Sequence, residues 1–230
     1  MRIFWWTPRA VAMYLSEGLV TISRAGIPAM DRCAGGVPPY RGDEERIRRA
    51  CGRMGFSSTT GELGACIASE LASFSMFDLQ LVMGRLRWEV ERLPFEYREA
   101  IRPYLLGRAI ALHHEVLTRY YAGDFAVLDE PIRDMEAFSG FCRMVPPGCL
   151  DRDASGEYLP QHFSPVHRLF FYLLSGYAMY VLGEPGHPVG MPFPGGLLVE
   201  ERAGAYYCPV RDKEKDVFFS ICNYCPAKQS

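Results

Sequence analysis

The longest uncharged apolar run in this chain, LFFYLLSGYAMYVL, covers residues 169–182 and constrains the fold more than any other feature. Its 14 residues fall short of the ~20 that a helix needs to cross the core of a bilayer. A helix that is apolar nearly all round is instead typical of the centre of a bundle. Ser164 is a good N-cap, and Pro165 suits the first helical position. We therefore predict a buried central helix that runs from Ser164 to about Leu182.

Polar residues at fixed spacing mark the starts of further helices. Thr59 and Glu62 have the capping-box spacing, and Ser75 with Asp78 indicates the next start. Downstream of both, apolar residues recur every three or four positions, which is the period of an amphipathic helix. A long helix follows in which Pro103 is expected to cause a kink or to lie in the first turn. The helices predicted in this way cover residues 61–73, 75–93, 95–122 and 131–144, and a loop covers 145–163.

The character of the chain changes after the central helix. Residues 186–196, GHPVGMPFPGG, hold three Pro and four Gly, so we predict neither helix nor strand there. Residues 197–201 and 205–210 then have the pattern of a β-hairpin. The predicted fold is therefore mainly α: a helical bundle with a small C-terminal β-hairpin and Cys knuckle.

Three regions are predicted along the chain. Residues 1–58 lack a sustained hydrophobic period, so we expect a poorly structured or accessory extension that contributes little to the core. The alternative is that the native protein begins near Met54. Residues 59–185 form the helical bundle, and residues 186–230 form a Pro/Gly loop, a hairpin and a Cys motif packed on it.

Charge and cysteine content limit the classes of function. The formal net charge of -2 gives no reason to expect nucleic acid or an anionic membrane as a partner. A disulfide-rich secreted scaffold is shorter and denser in cysteine than this chain, which has eight in 230 residues. Because we also find no export signal, we expect a cytoplasmic protein with reduced thiols.

The C-terminal cysteines have the spacing of a metal site. Cys208 precedes Cys222 by 14 positions, and Cys222 and Cys225 form a Cys-x-x-Cys pair. Such a pair in a tight turn directs two sulfurs at one point, and Cys208, at the end of a hairpin strand, reaches the same point if the segment folds back. Thiolates select zinc or an iron–sulfur cluster. Without a metal, the pair is a redox dithiol or a disulfide.

A fourth ligand is needed to complete such a site. His187 is the first candidate, because it lies in the Pro/Gly loop just before the hairpin. Cys142 and Cys149 are the next candidates. If the fourth position is open to water or to substrate, the site is catalytic rather than structural.

Other polar residues are given structural roles. His113 and His114 lie on the long predicted helix but lack the His-Glu-x-x-His spacing of a zinc protease, so we expect a helix-surface pair. His162 is placed in a loop and His167 at the start of the central helix. The mixed-charge run at residues 211–216 is predicted to be a solvated turn.

The motifs from His187 to Gln229 resemble those of an archaeal family, domain of unknown function 2115, which occurs mainly in methanogens. The run HPVGMPFPGG at residues 187–196, the run YYCPVRDKEKD at residues 206–216, and Cys222-x-x-Cys225-x-x-x-Gln229 carry the likeness. It covers roughly residues 59–229. The resemblance implies an anaerobic, iron–sulfur-rich cell and no reaction. It supports His187, Cys208, Cys222 and Cys225 as the site residues.

Three functions follow from these features. The first is an accessory metal-binding protein of anaerobic archaeal metabolism, with an iron–sulfur or zinc centre. The second is an enzyme that uses a Cys/His metal or thiol site on a small molecule, in the groove between bundle and hairpin. The third is a helical interaction module without metal that holds a protein partner.

Overall fold

A computed structural model describes residues 41–150 and 163–230, which form a helical bundle followed by short strands. The predicted mainly α class is confirmed. The α-helices are α1 (Arg41–Gly55), α2 (Thr60–Leu71), α3 (Met76–Glu91), α4 (Phe95–Arg102), α5 (Arg108–Ala122), α6 (Met135–Leu150) and α7 (Pro165–Tyr180).

Helix α7 is the centre of the bundle, as its composition predicts. All of its residues are buried, and it contacts α1, α2, α3, α5 and α6. Its start at Pro165 is fixed by Ser164, whose backbone N–H donates to Nδ1 of His167 at 2.8 Å. The capping boxes at Thr59 and Ser75 are also formed. The local signals therefore place these helix starts correctly.

Helix α1 belongs to the core, which differs from the expectation for residues 1–58. Ile47, Ala50, Cys51 and Met54 are each at most 5% exposed, and the helix packs along α6. The expectation of little contribution to the core is therefore wrong for α1. The apolar positions of α1 are few and lie among arginines and glutamates. The buried face of the helix is therefore evident only once its packing against α6 is known. Residues 1–40, with Cys33, lie outside the described residues.

Helix α6 extends further than predicted. It continues through Pro146 and Pro147 to Leu150, where a loop was expected from residue 145. Burial explains the difference, because Val145 and Cys149 are fully buried and the Cys149 carbonyl accepts a hydrogen bond from Arg168 at 3.1 Å. The rest of the predicted loop, residues 151–162 with His162, lies outside the described residues.

The kink expected at Pro103 is a π-helical turn. Residues Pro103–Gly107 join α4 to α5 in this conformation. Proline has no N–H to donate to the carbonyl four residues earlier, so the regular α-helical ladder is interrupted there. The turn places Tyr104 and Leu105 at the edge of a cleft that reaches the C-terminal region.

The C-terminal region contains two small sheets. β1 (Pro192–Phe193) pairs with β2 (Leu197–Leu198), although the Pro/Gly segment was predicted to hold no strand. In the second sheet β3 (Glu200–Arg202) pairs with β4 (Ala205–Cys208), which in turn pairs in parallel with β5 (Lys228–Gln229). The predicted hairpin is present with shorter strands. Its turn is left-handed at both Ala203 and Gly204, with φ of 51° and 75°.

Two tyrosines of α7 attach the C-terminal region to the bundle. The Tyr172 hydroxyl donates to the Phe219 carbonyl and the Tyr180 hydroxyl to the Tyr224 carbonyl, each at 3.0 Å. The central helix therefore supplies hydrogen bonds as well as apolar packing.

Among the described residues, no single helix is long and apolar enough to cross a membrane. The helices α2 and α3 reach the length and apolar composition of a membrane span only when they are counted together, and the pair is bent by 98°.

Candidate metal centre

His187 and Cys208 are brought together by the loop after α7 and the end of β4. The Nδ1 atom of His187 lies 3.7 Å from Sγ of Cys208. Val199 fixes the loop, because it accepts a hydrogen bond from the Gly190 N–H and donates one to the Met191 carbonyl. The His187 ring meets Phe193 edge-on and is 3% exposed. Both side chains are therefore buried, since Cys208 is 2% exposed.

The Cys-x-x-Cys pair lies in the turn that follows. Cys222 is in a 3-10 helix, Ile221–Tyr224, and its Sγ is 4.0 Å from the same Nδ1 atom of His187. The Cys225 Sγ accepts a hydrogen bond from the Gly186 N–H at 3.2 Å. The structure thus gathers the predicted site residues around the loop at residues 186–187.

These separations are close to those that one shared ion imposes. Nitrogen and sulfur ligands at tetrahedral angles, with zinc bond lengths, lie about 3.6 Å apart. The two sulfur-to-nitrogen distances are 3.7 and 4.0 Å. However, no group of three or more His, Cys, Asp or Glu side chains within residues 41–150 and 163–230 is already arranged to hold a metal ion.

Burial keeps the thiols of the pair protonated in the absence of a cation. Burial, with a smaller contribution from the nearby Glu214 carboxylate, raises the pKa of Cys222 to about 11. Burial also raises the pKa of Cys225, although the N–H groups of Ala227 and Gly186 oppose it by donating to the sulfur. A bound cation has the opposite effect, since thiolates are the form that binds metal.

The charged run before the pair is not simply a solvated turn. Arg211 donates from Nε to the Cys225 carbonyl at 3.2 Å, and Glu214 is only 4% exposed. Gln229 joins the same turn by accepting from the Asp212 N–H at 2.9 Å and donating to the Pro209 carbonyl. The prediction of a solvated turn is therefore wrong at Arg211 and Glu214, because the run folds back over the cysteines.

The other fourth-ligand candidates lie elsewhere. Cys142 and Cys149 are buried on α6 beside Cys51 of α1. Burial raises the pKa of Cys51 and of Cys149, with smaller contributions from Cys142 to the first and from Cys51 to the second. The predicted surface pair on α5 is only partly as expected, because the Nε2 atom of His113 is buried, while His114 is exposed. Of the candidates, His187 is the one that faces Cys208 and Cys222.

Among the described residues, two clefts border the site. His187 lines a narrow apolar cleft beside the π-helical turn. Cys225 lines a more polar cleft between α7, the start of α6 and the terminal turn, where Arg133 and Arg211 also lie. His187 and Cys225 thus face different clefts, which does not match the single groove expected for the enzyme alternative.

Comparison with known sequences identifies relatives of this chain. The profile of one family, described as an uncharacterized protein conserved in archaea (DUF2115), matches residues 59–230. This range contains the four predicted site residues, both clefts and all of the described elements except α1.

Individual relatives come from methanogens. A UPF0305 protein from Methanothermobacter thermautotrophicus is 54% identical over 54 residues, which are 24% of this chain and 35% of that protein. One from Methanopyrus kandleri is 40% identical over 70 residues, 30% of this chain and 49% of the relative. The matches thus span half or less of these two relatives. A third, from Methanocaldococcus jannaschii, is 24% identical over 73% of this chain and 94% of its own length. No solved structure matches the chain.

Proposed function

Because the chain belongs to the archaeal DUF2115 family, whose description gives no activity, we propose from the site alone that it is a metal-binding protein. One ion is held by His187, Cys208, Cys222 and Cys225. The observation that carries this proposal is the position of a single histidine nitrogen opposite two cysteine sulfurs, at 3.7 and 4.0 Å, in a buried pocket.

The spacing favours a single ion over an iron–sulfur cluster. The ligands of a cluster bind different iron atoms, so they lie further apart than ligands that share one ion. Three sulfurs and one imidazole nitrogen form a ligand set typical of structural zinc. The four side chains must shift slightly to coordinate one ion, because they are not already arranged around a common point.

The hydrogen bonds to sulfur support thiolates at this position. Cys225 receives N–H donors from Gly186 and Ala227, and such bonds favour the charged form of an acceptor. In metal sites these outer contacts orient the ligands and tune their basicity. Gly186 is next to His187, so the same loop provides both a ligand and a donor to another ligand.

The proposed role of the ion is structural. Each of the four side chains is at most 7% exposed, which leaves no coordination position open to solvent. The ion would join the Pro/Gly loop, the end of β4 and the terminal turn, three segments with little regular structure of their own. A protein partner and a place in anaerobic metabolism remain predictions, and the second follows from the family's occurrence in methanogens.

Cobalt substitution tests the ligand set directly. We expect Co(II) added to metal-free protein to give thiolate charge-transfer bands and the strong visible bands of tetrahedral coordination. His187→Gln should shift the visible bands, and Cys222→Ser should weaken the charge transfer. Cys66→Ser, on the half-buried face of α2, is the matched control and should leave the spectrum unchanged. Spectra of octahedral, sulfur-free cobalt would contradict the proposal.

A further inference from the structure

The polar cleft lies where the end of α7 meets the start of α6 and the terminal turn. Its cavity volume is about 190 Å³. A water molecule in the liquid takes up about 30 Å³, so the cleft has room for about six waters or for one small organic molecule. Charged side chains line one part of it. The rest is an apolar wall, which consists of Pro131, Ala137, Val181, Leu182 and Pro226.

Charged groups of both signs in this cleft are unpaired. Glu130, Arg133 and Asp134 line it, and none of them forms an ion pair within the part of the chain that the structure describes. One oxygen of Asp134 accepts a hydrogen bond from the Ala137 N–H at 2.9 Å and so caps α6, which leaves the other oxygen for a ligand. Arg211 differs, because its guanidinium is already engaged in the terminal turn. The cleft therefore offers one unpaired cation and two carboxylates.

The end of α7 adds a negative potential to the cleft. Residues 179–182, which comprise the end of the helix and the two residues after it, line the cleft. The last carbonyl groups of a helix have no partner within it and form the negative end of its macrodipole. Gly183 then turns the chain with a φ of 70°, and Nη1 of Arg133 lies 3.8 Å from the position of a Cβ on this glycine. The cleft thus combines a negative wall with a cation.

We propose that this cleft binds a small aliphatic α-amino acid as its zwitterion. The carboxylate pairs with Arg133, the ammonium lies against Glu130 and Asp134, and the side chain contacts the apolar wall. A ligand with only one of the two charges leaves the opposite groups of the cleft unpaired. Because these groups are exposed to solvent, binding is expected in the millimolar range. The site does not depend on the proposed metal centre, although Cys225 borders both.

Three probes with the same carbon skeleton and different charges test the proposal. L-leucine, isopentylamine, which lacks the carboxylate, and 4-methylpentanoate, which lacks the ammonium, are titrated into the full-length protein and followed by ¹H–¹⁵N NMR. We expect leucine to give saturable shifts at the amides of Asp134, Gly183 and Tyr224. The other two should bind about fivefold more weakly, since each loses one ion pair. Absence of saturable leucine shifts at these amides, or equal affinity of either single-charge probe, would overturn the assignment.

Substitutions locate the two charges of the ligand. Arg133→Gln is expected to lower the affinity for leucine about fivefold and to leave that for isopentylamine unchanged, because only the carboxylate contact is lost. Glu130→Gln should weaken leucine and isopentylamine but not 4-methylpentanoate. Arg143→Gln and Glu136→Gln, which remove the same charges from exposed positions of α6 outside the cleft, are the matched controls. Ala137→Leu fills the cleft and should abolish binding, so undiminished leucine binding by this variant in its folded state would show that the ligand binds elsewhere.

Discussion

The Tyr224 ring lies directly on the backbone of Gly140, so that a Cβ on this glycine would be 2.6 Å from Cε1 of the ring. Gly140 lies within α6, and Tyr224 is the residue before Cys225 in the Cys-x-x-Cys turn. The ring also packs edge-on against Phe141. The position of the proposed metal ligands therefore depends on the absence of a single methyl group in the bundle.

Gly140→Ala is expected to displace the turn. Overpacking of this kind costs about 1–3 kcal/mol, and the shift of Cys225 should also weaken metal binding. Gly84→Ala is the control, because it lies on the exposed face of α3 with open space around it and should stabilise the helix by about 0.5–1 kcal/mol. Urea unfolding measures the change in stability for both substitutions. Equal effects of the two substitutions would contradict the tight contact.

A second prediction concerns α1. Met54→Ala is expected to reduce the free energy of unfolding by about 2–5 kcal/mol, because its side chain is 1% exposed and would leave a cavity. Arg49→Ala, on the exposed face of the same helix, should change stability by no more than about 0.5 kcal/mol. Chemical denaturation distinguishes them. A small effect of Met54→Ala would return α1 to the role of an accessory segment.

The bundle could be predicted largely from local signals. Where the observed helices differ from the predicted ones, the cause is packing against other parts of the chain. The capping residues Thr59, Ser75 and Ser164 act within a few residues of themselves, so the sequence shows them. The contribution of α1 and the continuation of α6 through Pro146 depend on burial against other helices, which no local pattern records. The π-helical turn follows from Pro103, but its exact form also depends on the neighbours.

His113 gives the protein a sensitivity to acid. Burial lowers its pKa below the ordinary histidine value of 6.5, with a smaller contribution from His114, and its Nε2 atom has no hydrogen-bond partner in the described part of the chain. A base whose pKa is lower in the folded state stabilises the fold above pH 6.5, and this contribution is lost as the pH falls further.

His113→Phe should therefore reduce the loss of stability between pH 7.5 and 5.5. The ring already packs 5.4 Å from Phe170, so an aromatic replacement suits the position. His114→Gln, at the exposed neighbour, should reproduce the wild-type pH dependence closely. The denaturant midpoint is measured at both pH values for each variant. A midpoint that falls as much in His113→Phe as in the wild type would contradict this role of His113.

The bundle cysteines are expected to be unreactive. Burial raises the pKa of Cys142 to about 12 and also raises those of Cys51 and Cys149, so few thiolates form near pH 8. Mass spectrometry after iodoacetamide treatment should find these residues unmodified in the folded protein and modified in urea. Rapid modification of Cys142 under native conditions would show that α6 opens.

The candidate site could be predicted in part. The spacing of Cys208, Cys222 and Cys225 is visible in the sequence, and the choice of His187 followed from its position just before the hairpin. The N–H donor of Gly186 and the inward turn of Arg211 and Glu214 could not be predicted, because they arise only when the terminal segment folds back onto the loop after α7.

The metal content of protein purified without oxygen tests the central claim most directly. We expect about one zinc ion per chain in the wild type and in Cys142→Ser, and much less in Cys222→Ser, because only the last substitution removes a proposed ligand. A wild-type protein without stoichiometric metal, or a Cys222→Ser variant with the full amount, would contradict the proposed centre. Iron together with sulfide would contradict the assignment of a single ion.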